Sequence, residues 1–173
     1  LVNAVLDYSR SQNAAPEENS RRFSLTASIR EILTRYGKLT EQDGYVIRFE
    51  QQGEAYVQAD PLKISQVVYN LINNALTYTG DDKTVTITQT IRDGHVRISV
   101  TDTGEGIEPE ELPYIWNRYY RGKKPHKRAA VGTGLGLNIA RGILDGYGMD
   151  YGAESTVGKG STFWFEMETA GDE

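Results

Sequence analysis

The 173-residue chain contains no cysteine. That excludes a disulfide framework, a thiol nucleophile and a Cys-ligated zinc site. Histidine is almost as scarce, and His95 and His126 have no spacing familiar from His-based metal sites. Neither accompanies a nucleophile-elbow pattern, which sets serine-triad chemistry aside. No apolar run approaches the roughly 20 residues of a membrane helix, and no signal-peptide pattern opens the chain. An excess of positive charge is also missing. The formal net charge of −5 and pI of 5.2 argue against a general nucleic-acid or anionic-membrane surface. With 38% hydrophobic and 25% charged residues, the expectation is a soluble, cytoplasmic single domain with a real core.

What the chain has in excess is glycine. Most of its 18 glycines lie between Gly94 and Gly160, several of them clustered. Glycine weakens helices and strands, so clusters mark backbone that turns sharply or closely approaches something else.

Leu1–Arg10 reads as the end of an amphipathic helix continued from a longer chain, and Ser11–Ser20, with Pro16, as a linker. Leu25, Ile29, Ile32 and Leu33 predict a helix to about Thr40, followed by short strands near 45–50 and 55–58. Asp60-Pro61 is a helix start, since Asp caps free N–H groups and Pro suits the first turn. That helix should reach about Tyr78, with Ile64, Val68, Leu71, Ile72 and Ala75 on one face. Asn70, Asn74 and Thr77 share a neighbouring polar face. Val85, Ile87 and Ile91 alternate with threonines in a half-buried strand, and Asp93-Gly94 is a hairpin turn. The return strand turns Val96, Ile98, Val100 and, by parity, Asp102 inward. A short helix near 109–117 follows, then a basic segment, Arg118–Val131, without periodicity. Gly132–Gly136 leads into a helix carrying Leu135, Ile139 and Ile143, and a closing hairpin spans about 149–168. Segregated helices and strands imply an α+β two-layer sandwich, a mixed β-sheet with helices packed on one face.

Three stretches carry chemistry. Asp102-Thr103-Gly104-Glu105-Gly106-Ile107 sets an inward carboxylate at a strand end, where it can accept from a buried amine; an Asx-turn is the plainer reading. Gly132-Thr133-Gly134-Leu135-Gly136-Leu137 sets glycines at a helix N-terminus, which favours phosphate. Asn70 and Asn74 offer amide oxygens from one helix face, ligands suited to Mg²⁺ shared with phosphate.

Taken in order, these blocks resemble the ATP-binding catalytic domain of sensor histidine kinases. It belongs to the superfamily that includes gyrase, a heat-shock chaperone and mismatch-repair ATPases (the Bergerat, or GHKL, fold). The likeness spans about Phe23 to Met167. Asn70–Ala75 resembles the N box, Asp102–Ile107 the G1 box, Pro113–Arg121 the F box, Gly132–Leu137 the G2 box and Gly158–Phe163 the closing turn. Leu6–Arg10 resembles the end of the dimerisation helix preceding such a domain. The resemblance implies segments 1–20 (dimerisation-helix end plus linker), 21–169 (catalytic domain) and 170–173 (tail). It implies that Asp102 accepts from the adenine amino group, that Gly106 and Ile107 line the base, that Tyr78 stacks on it and that Gly104 belongs to the nucleotide-binding set. Asn70 and Asn74 would hold Mg²⁺ and phosphates, while Gly132, Thr133, Gly134, Leu135, Gly136 and Leu137 surround the phosphates. Arg118 or Arg121 would approach the γ-phosphate, Thr77 and Thr162 belong to the nucleotide-binding set, and Arg118–Val131 would be a mobile lid.

The implied cofactors are ATP and Mg²⁺, and the implied reaction is γ-phosphoryl transfer to a histidine on a dimerisation domain upstream of this chain. Neither His95 nor His126 lies on a suitable helix, and both read as surface residues. Where the superfamily's hydrolases carry a water-activating Glu, this chain has Asn70, which cannot act as a base. Two departures stand out: Thr77 replaces a customary basic residue, and Trp116 replaces the F-box Phe. Expected partners are the protein's own dimerisation domain and a response regulator, with no nucleic acid. The fragment is expected to be monomeric, and the whole protein a membrane-anchored homodimer. An anti-sigma-type serine kinase and a domain that binds nucleotide without catalysis are the alternatives.

Overall fold

A computed structural model describes residues 19–117 and 136–171. A five-stranded mixed sheet has the order β2-β4-β5-β7-β6, and a two-stranded sheet pairs β1 with β3. The strands are β1 (Arg21–Ser24), β2 (Val46–Gln51), β3 (Tyr56–Ala59), β4 (Thr84–Arg92), β5 (His95–Asp102), β6 (Asp150–Thr156) and β7 (Gly160–Glu168). The helices are α1 (Leu25–Thr34), α2 (Gly37–Gln42), α3 (Pro61–Tyr78) and α4 (Gly136–Tyr147). Only β2 and β4 run parallel; the other neighbours in the large sheet are antiparallel. No helix among the described residues is long and apolar enough to cross a membrane.

One apolar layer joins helices to sheet. Alternation buries Val96, Ile98 and Val100 of β5 and Phe163, Phe165 and Met167 of β7 on one face. Helical periodicity sets Ile64, Val68, Leu71 and Ile72 of α3 and Ile139, Ile143 and Leu144 of α4 against them. The start of α3 forms as its sequence requires: Pro61 sits in the first turn, and Asp60 Oδ1 accepts from the Leu62 N–H at 2.9 Å. The Asp60 N–H donates to the Tyr147 hydroxyl at 3.0 Å, joining the start of α3 to the end of α4. These two helices carry both faces of the site described below.

Four local expectations need correction. The helix predicted from Leu25 to Thr40 is two helices, because Tyr36 leaves helical geometry and turns into the core, where its hydroxyl donates to Asn73 Oδ1 at 2.7 Å. β1 was not predicted; it directly precedes α1, without a turn residue to announce it. The predicted 109–117 helix is only a 3₁₀ turn over Leu112–Tyr114, since Pro113 supplies no N–H. In β4, Ile91 is 38% exposed beyond the core, and Gln89 takes the inward place with no exposed surface.

Gln89 is inside because its polar groups are matched. Its Oε1 accepts from Thr26 Oγ1 at 2.7 Å, its Nε2 donates to the Gly53 carbonyl at 3.2 Å, and Thr26 Oγ1 accepts the Ala55 N–H at 2.8 Å. Thr26→Val keeps the shape but strands a buried donor and a buried acceptor. The expected cost is about 2–3 kcal/mol of unfolding free energy, read from urea denaturation. An unchanged midpoint would contradict this role for the pair.

Candidate functional site

The turn after β5 is held on both sides. Asp102, 4% exposed, ends the strand on the core face, in register with Val85 and Ser161. The backbone then passes so close to the end of α3 that a Cβ on Gly104 would collide with the Tyr78 carbonyl oxygen. On that side Thr79 Oγ1 donates to the Thr84 carbonyl at 2.6 Å and accepts the Thr103 N–H at 3.3 Å, and Thr103 Oγ1 donates to Asp82 at 2.5 Å. On the other side lies the β6–β7 hairpin. The Ile107 N–H donates to Ser155 Oγ at 2.7 Å, and the Gly158 N–H to the Glu105 carbonyl at 2.7 Å. Gly106, at φ +81°, would bring a Cβ within 2.5 Å of the Thr156 carbonyl, so no larger residue fits this turn.

Asp102 is a carboxylate in an apolar layer. Burial pushes its pKa up to about 6, although the N–H groups of Gly104 and Ser161 bond to it and oppose the shift. Among the described residues no cation forms an ion pair with it. A chain that tolerates this cost keeps a strong acceptor at the edge of its core, able to receive a hydrogen bond from a neutral donor.

Beside this turn, α3 presents Asn70 and Asn74 one turn apart, both half-buried, and Tyr78, 38% exposed, at its end. The first residue of α4 meets the same face: a Cβ on Gly136 would sit 3.8 Å from the Asn70 side chain. The Asn70 Nδ2 is buried and finds no hydrogen-bond partner among the described residues. Such an orphan amide marks a place prepared for another polar group. An amide oxygen is a hard donor that suits Mg²⁺, and the amide nitrogen suits a phosphate oxygen, so the residues present fit an Mg²⁺-phosphate group. No cluster of three or more His, Cys, Asp or Glu side chains exists among the described residues to form an all-protein metal cage. Leu137, next to Gly136, and Ile107, at the end of the β5 turn, are both half-buried.

Two expected site residues are misplaced. Thr77 is 5% exposed, and its hydroxyl donates back to the Asn73 carbonyl at 2.9 Å, so it does not join Asn70 and Asn74 on an open polar face. Thr162 pairs with Thr101, their hydroxyls 2.8 Å apart, on the sheet face opposite Asp102. Strand parity puts Ser161 beside Asp102 instead, buried and with its hydroxyl 2.8 Å from that of Ser155. The alternation of Phe163, Phe165 and Met167 already carried that signal. Arg118, Arg121, Gly132, Thr133, Gly134, Leu135, the whole lid segment and His126 lie outside the described residues, as do residues 1–18.

A family model described as "Histidine kinase-, DNA gyrase B-, and HSP90-like ATPase" matches residues 59–171, from the end of β3 to beyond β7. The chain belongs to this ATPase family. Among relatives, the sensor histidine kinase WalK of Bacillus subtilis is 33% identical over 169 residues, which are 96% of this chain and 28% of WalK. The chain thus spans under a third of that protein's length. The catalytic domain of histidine kinase ThkA superposes with a TM-score of 0.74 at 30% identity, covering 86% of this chain and 95% of that domain. Full-length ShkA in complex with AMPPNP gives a TM-score of 0.81 at 27% identity, covering 98% of this chain and 35% of ShkA. ThkA has also been solved with the response regulator protein TrrA, where the match has a TM-score of 0.73 at 29% identity, covering 87% of this chain and 42% of that one. As a member of the ATPase family the chain has the family's fold: a mixed sheet with its helices on one face.

The raised pKa of Asp102 has a thermodynamic consequence. The folded chain holds this proton up to about pH 6, whereas the unfolded chain releases it near 3.8, so ionisation costs stability as pH rises across that interval. The cost is fully present above the folded value and absent below the unfolded one. Asp102→Asn removes it. The stability of the variant relative to the parent should therefore rise by on the order of 2–3 kcal/mol between pH 4 and pH 7, read from paired urea titrations. Parallel profiles would contradict the assignment.

Proposed function

We propose that this chain is the catalytic ATP-binding domain of a two-component histidine kinase. The observation that carries the reading is the clamped turn that buries Asp102 against the end of α3, the helix that also carries the orphaned amide of Asn70. Asp102 accepts from the adenine amino group, while Tyr78, Gly104, Gly106 and Ile107 bound the base. Asn70 and Asn74 hold Mg²⁺ and the phosphates, with Gly136, Leu137 and the preceding G2-box residues Gly132, Thr133, Gly134 and Leu135 on the phosphate side. When bound, Mg²⁺ neutralises charge on the phosphate oxygens. Arg118 or Arg121 supplies the cation near the γ-phosphate.

The chain's own contribution is positioning and charge stabilisation, the demands that phosphoryl transfer makes on a protein. Asn70 cannot deprotonate water, so the site favours holding ATP for another acceptor over hydrolysing it. The acceptor is a histidine nitrogen on a dimerisation domain: the new N–P bond forms as the bond to the β–γ bridging oxygen breaks, and ADP leaves. The whole protein works as a membrane-anchored homodimer that passes the phosphoryl group to a response regulator. ThkA solved with TrrA supports that partner class. Thr77 in place of a customary basic residue is the feature that favours the alternative, a domain that binds nucleotide without transferring phosphate.

Calorimetric titration with ATP, with and without Mg²⁺, tests the site, and labelled ATP with a dimerisation domain supplied in trans tests the reaction. The reading predicts Mg²⁺-dependent binding and label on a helix histidine. Binding without label would favour the non-catalytic alternative, label on a partner's serine would favour an anti-sigma-type kinase, and no binding at all would overturn the reading.

A further inference from the structure

A closed ring of contacts joins Trp116 and Asn117 of the F box to α4 and β6. The Asn138 Nδ2 donates to the Trp116 carbonyl at 3.3 Å, and Arg141 Nη1 donates to Asn117 Oδ1 at 3.2 Å. Arg141 Nε lies 3.6 Å from Asp145 Oδ2, and Asp145 Oδ1 accepts from the Tyr151 hydroxyl at 2.8 Å. The Tyr151 ring closes the circuit by meeting Trp116 edge-on at 5.0 Å between centroids, and Trp116 also meets Phe163 at 5.4 Å. On α4, Asn138, Arg141 and Asp145 form one stripe at helical spacing, on the side away from Ile139, Ile143 and Leu144. This is the outer side of the helix whose first residue packs against Asn70.

An exposed i,i+4 ion pair contributes little by itself. Its weight here comes from what it connects. Asn117 and Gly136 are the described residues on either side of positions 118–135, and the ring anchors both: Asn117 directly, Gly136 through Asn138 two residues later. Asp102 and its turn are held by separate contacts, to the end of α3 and to the β6–β7 hairpin.

We propose that Arg141, with Asp145 and Tyr151, is a positioning residue for the phosphate side of the nucleotide site: it fixes Asn117 and the start of α4 without touching the nucleotide. This rests on the ATP-site reading above. It separates two halves of one site. The adenine half depends on the β5 turn, and the phosphate half depends on the α4–F-box ring.

The test is an amide NMR titration of the whole chain with MgATP and, separately, with adenosine. Arg141→Ala should weaken MgATP by about three- to ten-fold and change adenosine by less than about two-fold. Tyr151→Phe, which removes only the hydroxyl that steadies Asp145, should shift MgATP the same way by less. Arg141→Lys, which keeps one donor and the charge, should fall between Arg141→Ala and the parent. MgATP affinity unchanged in Arg141→Ala, equal weakening of both ligands, or a collapsed spectrum would each overturn the proposal. The first would mean that the ring positions nothing, and the other two that it merely supports the fold. A parent chain that binds neither ligand would overturn the ATP-site reading itself, which keeps the two failures distinct.

Discussion

The close passage of backbone against backbone at Gly104 governs the rest of the site. With the Tyr78 carbonyl against Gly104 and the Thr156 carbonyl against Gly106, the turn after β5 has no room for a side chain at either glycine. That confinement lets a carboxylate sit 4% exposed at the edge of the core without a counter-cation among the described residues. Fixed donors, the N–H groups of Gly104 and Ser161, take up part of its hydrogen-bonding capacity. A mobile turn would let water reach the carboxylate, and its pKa would fall toward the ordinary value.

The two helices flanking this turn divide the labour. α3 is fixed along its length by an apolar face and at its start by the Asp60 cap, and it carries the amides. α4 begins against Asn70 and ends where the Tyr147 hydroxyl receives the Asp60 N–H. The polar site therefore stands on rigid elements, and its unsatisfied groups persist because the core leaves them no way to collapse.

Much of this was legible in the sequence because period and punctuation agreed. Asp60-Pro61 marked the start of α3 correctly, and the alternation through Val96, Ile98 and Val100 carried through to place Asp102 inward. Glycine pairs marked the turn for the same steric reason that confines it. The misses have physical causes too. Thr77 lies at the right helical angle for the polar face, but helical angle does not show what covers the end of a helix. The inward place of Gln89, between Ile87 and Ile91, was not legible because its partners, Thr26 and Gly53, are distant in sequence. Thr162 was carried over from a motif, whereas the parity of β7 put Ser161 on the functional face.

The central claim is that buried Asp102 reads an amino group on the bound base. The most direct measurement compares the affinities of this chain for ATP and for inosine triphosphate, in which that amino group is replaced by a carbonyl oxygen. The account predicts that inosine triphosphate binds about 10- to 100-fold more weakly, because a buried acceptor would then face another acceptor. Equal affinity for the two nucleotides would contradict it.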